Sequence, residues 1–191
     1  MNVASRFIDV HVQANLGQRR ALEWVDKHYS YYDLAALANR AGNLLQSRGA
    51  GPGMRVLVLM PESPGYVGCL IGALKIGAVA VLSAADAGAK LAIVHSTLLG
   101  KLKAPLAKEN VLLAGDAKDG YPSFAELMRA QASSLAATEL PPDVPALVLE
   151  SREVSQRELA AAIADAKAGG LGRVGELLRT LANAQTAKLT S

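Results

Sequence analysis

Reactive residue types meet at a few points in this sequence. His95 and Ser96 stand side by side, a base beside a hydroxyl, as a nucleophile and its activator must be. They close the apolar run KLAIV, however, and adjacent residues of a strand project to opposite faces, so the pair is not expected to act together. Gly170, Gly172 and Gly175 satisfy G-x-G-x-x-G, the spacing that lets a backbone approach a dinucleotide pyrophosphate where a strand turns into a helix. Here the preceding LAAAIADAKAG reads as helix, which predicts an interhelical turn leading into a glycine-containing helix. His11, His28 and His95 lack metal-ligand spacing and have no neighbouring cysteine. Cys69 is the one cysteine; it sits in CLIGAL, which excludes a disulfide framework and predicts a buried, inert thiol. The residues therefore assign no catalytic, cofactor-binding or metal-ligating group.

A different kind of candidate lies near the end. Leu171, Val174, Leu177, Leu178 and Leu181 form an apolar stripe at helical spacing, flanked by Arg173, Glu176 and Arg179. Such a stripe either packs on the chain's own sheet or serves as an interaction helix for a second copy or a partner.

The elements that would position these residues alternate. Asn2 can cap a helix running to about Asn15. ALEWVD followed by HYSY reads as a hairpin turning at Asp26 and Lys27, and Ser30 with Asp33 marks the start of a long helix that Gly49 stops. RVLVLM is a continuous apolar run of the kind buried on both faces of a parallel sheet. Ser63 and Pro64 suit the cap and first turn of the next helix, Gly77 ends it, and AVAVL returns as a strand. After a short connection at Ser83–Gly88, KLAIVH reads as a strand, Leu98–Ala107 as a helix broken by Pro105, VLLAG as a strand, and Ser123 with Glu126 as another helix start. The link ATELPPDVP precedes a strand ALVLE and helices beginning at Ser155 and near Leu171. The pattern predicts an α/β fold with a doubly wound, mainly parallel sheet flanked by helices. It divides into residues 1–140, an α/β body, and 141–191, a strand plus helices packed on that body or on a partner.

Composition agrees. The chain is 51% hydrophobic and only 4% aromatic, so small aliphatic residues must supply the core. Its formal charge of +3 is spread without basic runs, which excludes a nucleic-acid stripe. Arg6 and Asp9 interrupt any signal-peptide core. Tyr66–Leu82 is too short and glycine-rich for a transmembrane segment and carries Lys75. The expected location is cytoplasmic.

The stretch from ALEWVDKHYSYYDLAALANRAGNLLQSRG through GPGMRVLVLMPESPGYVGCLIGALKIGAVAV resembles the N-terminal region of adenylate-forming acyl-CoA synthetases. Its opening NVASRFIDVHV resembles the benzoate-CoA ligase branch of that AMP-binding superfamily. The likeness continues more weakly to about Ile163, with the segment from Leu82 to Lys90 pared down. The resemblance implies a Thr/Ser/Gly-rich loop ending in Pro-Lys-Gly after Leu149, wrapped around the ATP phosphates. Such a loop needs glycines, hydroxyls and a lysine. This chain has Glu150, Ser151, Arg152, Glu153, Val154 and Ser155 instead. No residue of the family's catalytic set can be carried onto the sequence. The expectation is a noncatalytic acyl-CoA-synthetase-like module that self-associates or docks on a partner such as a full-length acyl-CoA ligase, with no cofactor of its own. The alternatives are a module binding an acyl-CoA, aromatic acid or adenylate, and one subunit of a split ligase.

Overall fold

The computed structural model describes residues 2–83, 88–165 and 170–190. After a 3-10 turn at Val3–Arg6, the chain forms α1 (Asp9–Gln13), β1 (Arg20–Trp24), β2 (Lys27–Ser30), α2 (Tyr31–Ser47), β3 (Arg55–Leu59) and α3 (Pro64–Lys75). Then follow β4 (Val79–Val81), β5 (Leu91–His95), β6 (Val111–Ala114), α4 (Phe124–Arg129), β7 (Pro145–Leu149), β8 (Arg152–Ser155), α5 (Gln156–Ala164), α6 (Gly172–Ala182) and β9 (Ala187–Lys188).

The main sheet has the order β6-β5-β3-β4-β7-β8, parallel throughout except for the antiparallel β7–β8 hairpin. A smaller sheet, β2-β1-β9, joins the first hairpin to the last strand, with β9 parallel to β1. Residues 145–155 therefore complete the sheet begun at Arg55, and residues 187–188 complete the one begun at Arg20. Alternation along β3 explains the two-sided burial: Val56 and Val58 face the larger apolar core, while Leu57 joins Val79, Val81 and Val94 in a second cluster on the opposite face. The second face is closed by Leu99, Leu102, Leu106 and Tyr121, from 3-10 and irregular segments.

Helix starts follow local chemistry. Ser30 and Asp33 form a reciprocal capping box, as do Ser155 and Glu158, and Ser63 Oγ accepts from the Tyr66 N–H with Pro64 in the first turn. α2 and α3 then pack backbone to backbone. A Cβ on Gly72 would stand 2.6 Å from the Ala38 carbonyl oxygen and 2.7 Å from the Gly42 nitrogen, atoms that cannot move aside.

Buried polar groups hold the N-terminal segment against the end of α3. The Asn2 amide donates to the carbonyls of Leu74, Lys75 and Thr138, at 2.8, 3.0 and 3.0 Å. The Lys75 ammonium, only 2% exposed, donates to Asp9 Oδ1 at 2.8 Å and Asn39 Oδ1 at 2.7 Å.

Some expected elements differ. The helix expected from Asn2 to about Asn15 is split into the 3-10 turn and α1, because Asn2 and Asp9 are both tied to the end of α3 and a straight helix would carry them roughly 10 Å apart. The helix expected over Leu98–Ala107 is a 3-10 segment, Ser96–Lys101, followed by irregular chain through Pro105. The first hairpin turns at Val25 and Asp26, with Lys27 already in β2. Strands β8 and β9 are additions to the expected elements. The connection at Ala84–Ala87 and the end of the helix expected through Ala166–Gly169 lie outside the described residues.

Replacing Gly72 by Ala forces two backbones apart, and we expect a loss of about 1–3 kcal/mol in urea denaturation. Lys75→Met should cost less than Asp9→Ala in the same assay, since only the second leaves a buried ammonium without its carboxylate.

Candidate functional site

In an open parallel sheet, ligands settle beyond the carboxyl ends of the strands, where the winding direction reverses. Here β4 lies on one side of β3 whereas β5 and β6 lie on the other, so the reversal falls between β3 and β5. At that place there is an apolar cleft of about 560 Å3. Its base is the chain leaving β3, from Met60 to Gly65, with His95 at the end of β5 and Ala114–Gly115 at the end of β6. Leu37 of α2 forms one wall, and Trp24 and Tyr29 of the first hairpin form another. Leu22 pairs with Tyr29 across the hairpin, so Trp24, two residues on, shares a face with Tyr29.

The polar groups of the cleft are largely committed. Ser63 Oγ caps α3. Glu62 accepts from Arg173 Nε at 2.8 Å and Nη2 at 3.1 Å, and from the Thr190 N–H and hydroxyl at 3.1 and 3.0 Å. Burial alone would raise the Glu62 carboxyl, but the Arg173 and Thr190 hydrogen bonds prevail and hold it below the usual carboxylate range. Tyr66, in the first turn of α3, is pushed up to about 12, first by burial and then by the charge of Glu62. His95 Nδ1 lies 2.8 Å from Thr97 Oγ1, whereas no hydrogen bond joins its Nε2 to another described residue.

His95 and Ser96 are closer than strand alternation implied. Ser96 begins the 3-10 segment rather than continuing β5, and a Cβ on Gly115 would lie 2.8 Å from both His95 Nε2 and Ser96 Oγ. Gly115, at φ +84°, is thus the residue that leaves room for both side chains. Even so, no hydrogen bond joins the pair among the described residues; Ser96 Oγ instead accepts from the Asp116 N–H at 3.1 Å. They do not form a nucleophile and base.

The other sequence candidates are dispersed. Leu171, Val174, Leu177, Leu178 and Leu181 are 6, 8, 1, 0 and 0% exposed, inside the chain's own core. The stripe is therefore covered within the chain and offers no free face. Gly170 and Gly172 follow α5 rather than a strand, and Gly172 opens α6, so the glycine pattern lies between two helices. His11 packs edge-on against Tyr31 at 4.9 Å, and no metal-binding cluster of His, Cys, Asp or Glu occurs among the described residues. Cys69 is fully buried, and burial pushes its thiol far up, leaving it protonated. No described helix is long and apolar enough to cross a membrane.

After Leu149, Glu150 and Ser151 close the β7–β8 hairpin as a two-residue turn. Glu150 takes a left-handed conformation, φ +56°. Arg152 meets Glu158 at 3.4 Å, and Glu153 pairs with Arg55.

This sheet order, with a hairpin at one edge and a second small sheet, defines an α/β scaffold built on a mainly parallel sheet. The chain superimposes over its full length on the anthranilate CoA ligase AuaEII, solved in complex with anthranoyl-AMP, with a TM-score of 0.84, 18% identity and 45% of that chain covered. A benzoate CoA ligase from Burkholderia xenovorans LB400 gives a TM-score of 0.81 and 20% identity, over 99% of this chain and 45% of the other. Residues 9–92 match the family model described as AMP-binding enzyme. The 3-hydroxybenzoate/4-hydroxybenzoate–CoA ligase of Thauera aromatica is 42% identical over 81 residues, 42% of this chain and 16% of that protein. An acetyl-coenzyme A synthetase of Bacillus subtilis is 35% identical over 85 residues, 42% of this chain and 15% of its own length. The matched region thus spans about one sixth of these curated relatives, and the chain resembles the N-terminal region of adenylate-forming acyl-CoA synthetases.

Glu62→Gln should loosen α6 and β9 together, seen as faster amide exchange at residues 172–190. Because the folded carboxyl titrates below its unfolded value, the Glu62 contribution to stability is complete above the unfolded value and is lost as pH falls through the folded one. The stability difference between wild type and variant should shrink over that acidic interval in urea titrations.

Proposed function

We propose that this chain is a noncatalytic, acyl-CoA-synthetase-like module that works by binding rather than by activating a carboxylic acid. The observation that supports this reading is the β7–β8 turn. Where the family resemblance implies a flexible glycine-rich loop around the ATP phosphates, two strands are joined by Glu150 and Ser151 alone. Such a turn presents no run of free backbone N–H groups, and the carboxylate of Glu150 repels phosphate, while Glu153 is already paired with Arg55. Arg152, the one cation of the segment, is held by Glu158.

Docking on a partner, such as a full-length acyl-CoA ligase, or self-association is the form this binding would take. Because the α6 stripe is buried, either would use another surface. A second reading draws on the superposition with under half of the anthranilate CoA ligase chain: the module supplies one lobe of a ligase completed by other polypeptide.

The purified chain should give no calorimetric signal with ATP and no carboxylate-dependent exchange of pyrophosphate into ATP. Exchange by the chain alone would overturn the noncatalytic reading. Exchange that arises only on mixing with a polypeptide carrying the remaining ligase elements would favour the second reading, and sedimentation would separate self-association from a monomer.

A further inference from the structure

The cleft at the sheet's reversal point is independent of the nucleotide question, and its lining is selective. We propose that it binds a small, flat aromatic molecule carrying one uncharged hydrogen-bonding group, a ligand of the naphthol type.

Shape comes first. Trp24 and Tyr29 present aromatic surface on one side, and Pro61 with Pro64 presents rigid apolar surface at the base, over a volume of about 560 Å3. A volume in this range suits a small ligand, and flat rings gain most from aromatic and proline walls.

Charge decides the polar group. Glu62 is the carboxylate of the lining, and no Lys or Arg side chain lines the cleft among the described residues. The guanidinium that reaches the lining, Arg173, is spent on Glu62 and on the Lys188 carbonyl oxygen. A ligand carboxylate would therefore enter beside Glu62 with no lysine or arginine of the lining to balance it, and burying an uncompensated charge is costly. The Trp24 indole N–H is closed off from solvent without a partner, and the Ser63 hydroxyl serves the α3 cap, so neither is offered to a ligand. His95 Nε2 is the ring nitrogen left over once Nδ1 has engaged Thr97. A neutral hydroxyl can donate to that nitrogen or accept from it, and so fits either tautomer.

The sequence supplies its own reporter, because Trp24 is the sole tryptophan. In the 15N-labelled protein a single indole resonance reports on the cleft. Titration with 2-naphthol at neutral pH should move this resonance saturably, with a dissociation constant of roughly 100 µM for a ligand of this size. The carboxylate analogue 2-naphthoate should bind at least about tenfold more weakly. His95→Phe, which keeps a flat ring but removes the hydrogen bond, should weaken 2-naphthol about tenfold.

Gly65→Leu is the blocking variant. A Cβ at Gly65 meets nothing closer than Met60 Cε at 3.6 Å, so the variant is expected to fold while its side chain fills the cleft. It should abolish the response without lowering the urea midpoint. The proposal is overturned by an unmoved indole resonance up to the solubility limit of 2-naphthol, by equal affinity for 2-naphthoate, or by undiminished binding in a folded Gly65→Leu protein. Because no nucleotide or acyl-CoA is present, none of these results bears on the noncatalytic reading.

Discussion

The close approach of α2 and α3 is the constraint on which the rest of the structure depends. Side-chain-free positions at Gly68 and Gly72 let α3 lie directly on α2, with the Gly68 site facing Leu37 and the Gly72 site facing Ala38 and Gly42. Ordinary helix pairs stand 8–10 Å apart according to the side chains between them. Removing those side chains brings Asn39 within reach of Lys75, and with it the anchor for α1. It also fixes where Leu37 stands, and hence one wall of the cleft.

At the opposite end of α3, Glu62 plays the matching part. It joins the turn after β3 to α6 through Arg173 and to the last described residue through Thr190. The fold is thus tied at both ends of one helix by charged groups: a fully buried ammonium at its carboxyl end, and a shielded carboxylate just before its amino end. Both charges have partners, as desolvation demands. The apolar cleft lies alongside the second tie and takes part of its lining from it.

Much of this was legible from local chemistry. Ser30 with Asp33, Ser63 with Pro64, and Ser123 with Glu126 mark helix starts through bonds made within three residues, and RVLVLM announces burial on both faces. The elements missed are those whose reasons lie elsewhere in the chain. β9 is two residues long and exists because β1 offers an edge; β8 is short and half exposed, so neither carries an alternation strong enough to read. The stripe on α6 was visible, but periodicity reports that a face is buried without saying against what. The cleft was invisible for a similar reason: its lining runs from Trp24 to Gly115 and contains no motif, and only the reversal of strand order assembles it. For His95 and Ser96 the conclusion that they do not act together holds, but strand alternation is not its reason, since Ser96 already begins the 3-10 segment.

The pairing of β9 with β1 has a consequence for how the molecule is made. Thr186 donates to the carbonyl of Arg20 across 166 positions of sequence, so the small sheet cannot close until almost the whole described chain has left the ribosome. Until then the first hairpin has an open edge, while the layer formed by α2, β3, α3 and β4 can assemble from contacts nearer in sequence. Synthesis would thus be completed by capture: the nascent chain folds around its middle first and closes its earliest strand last.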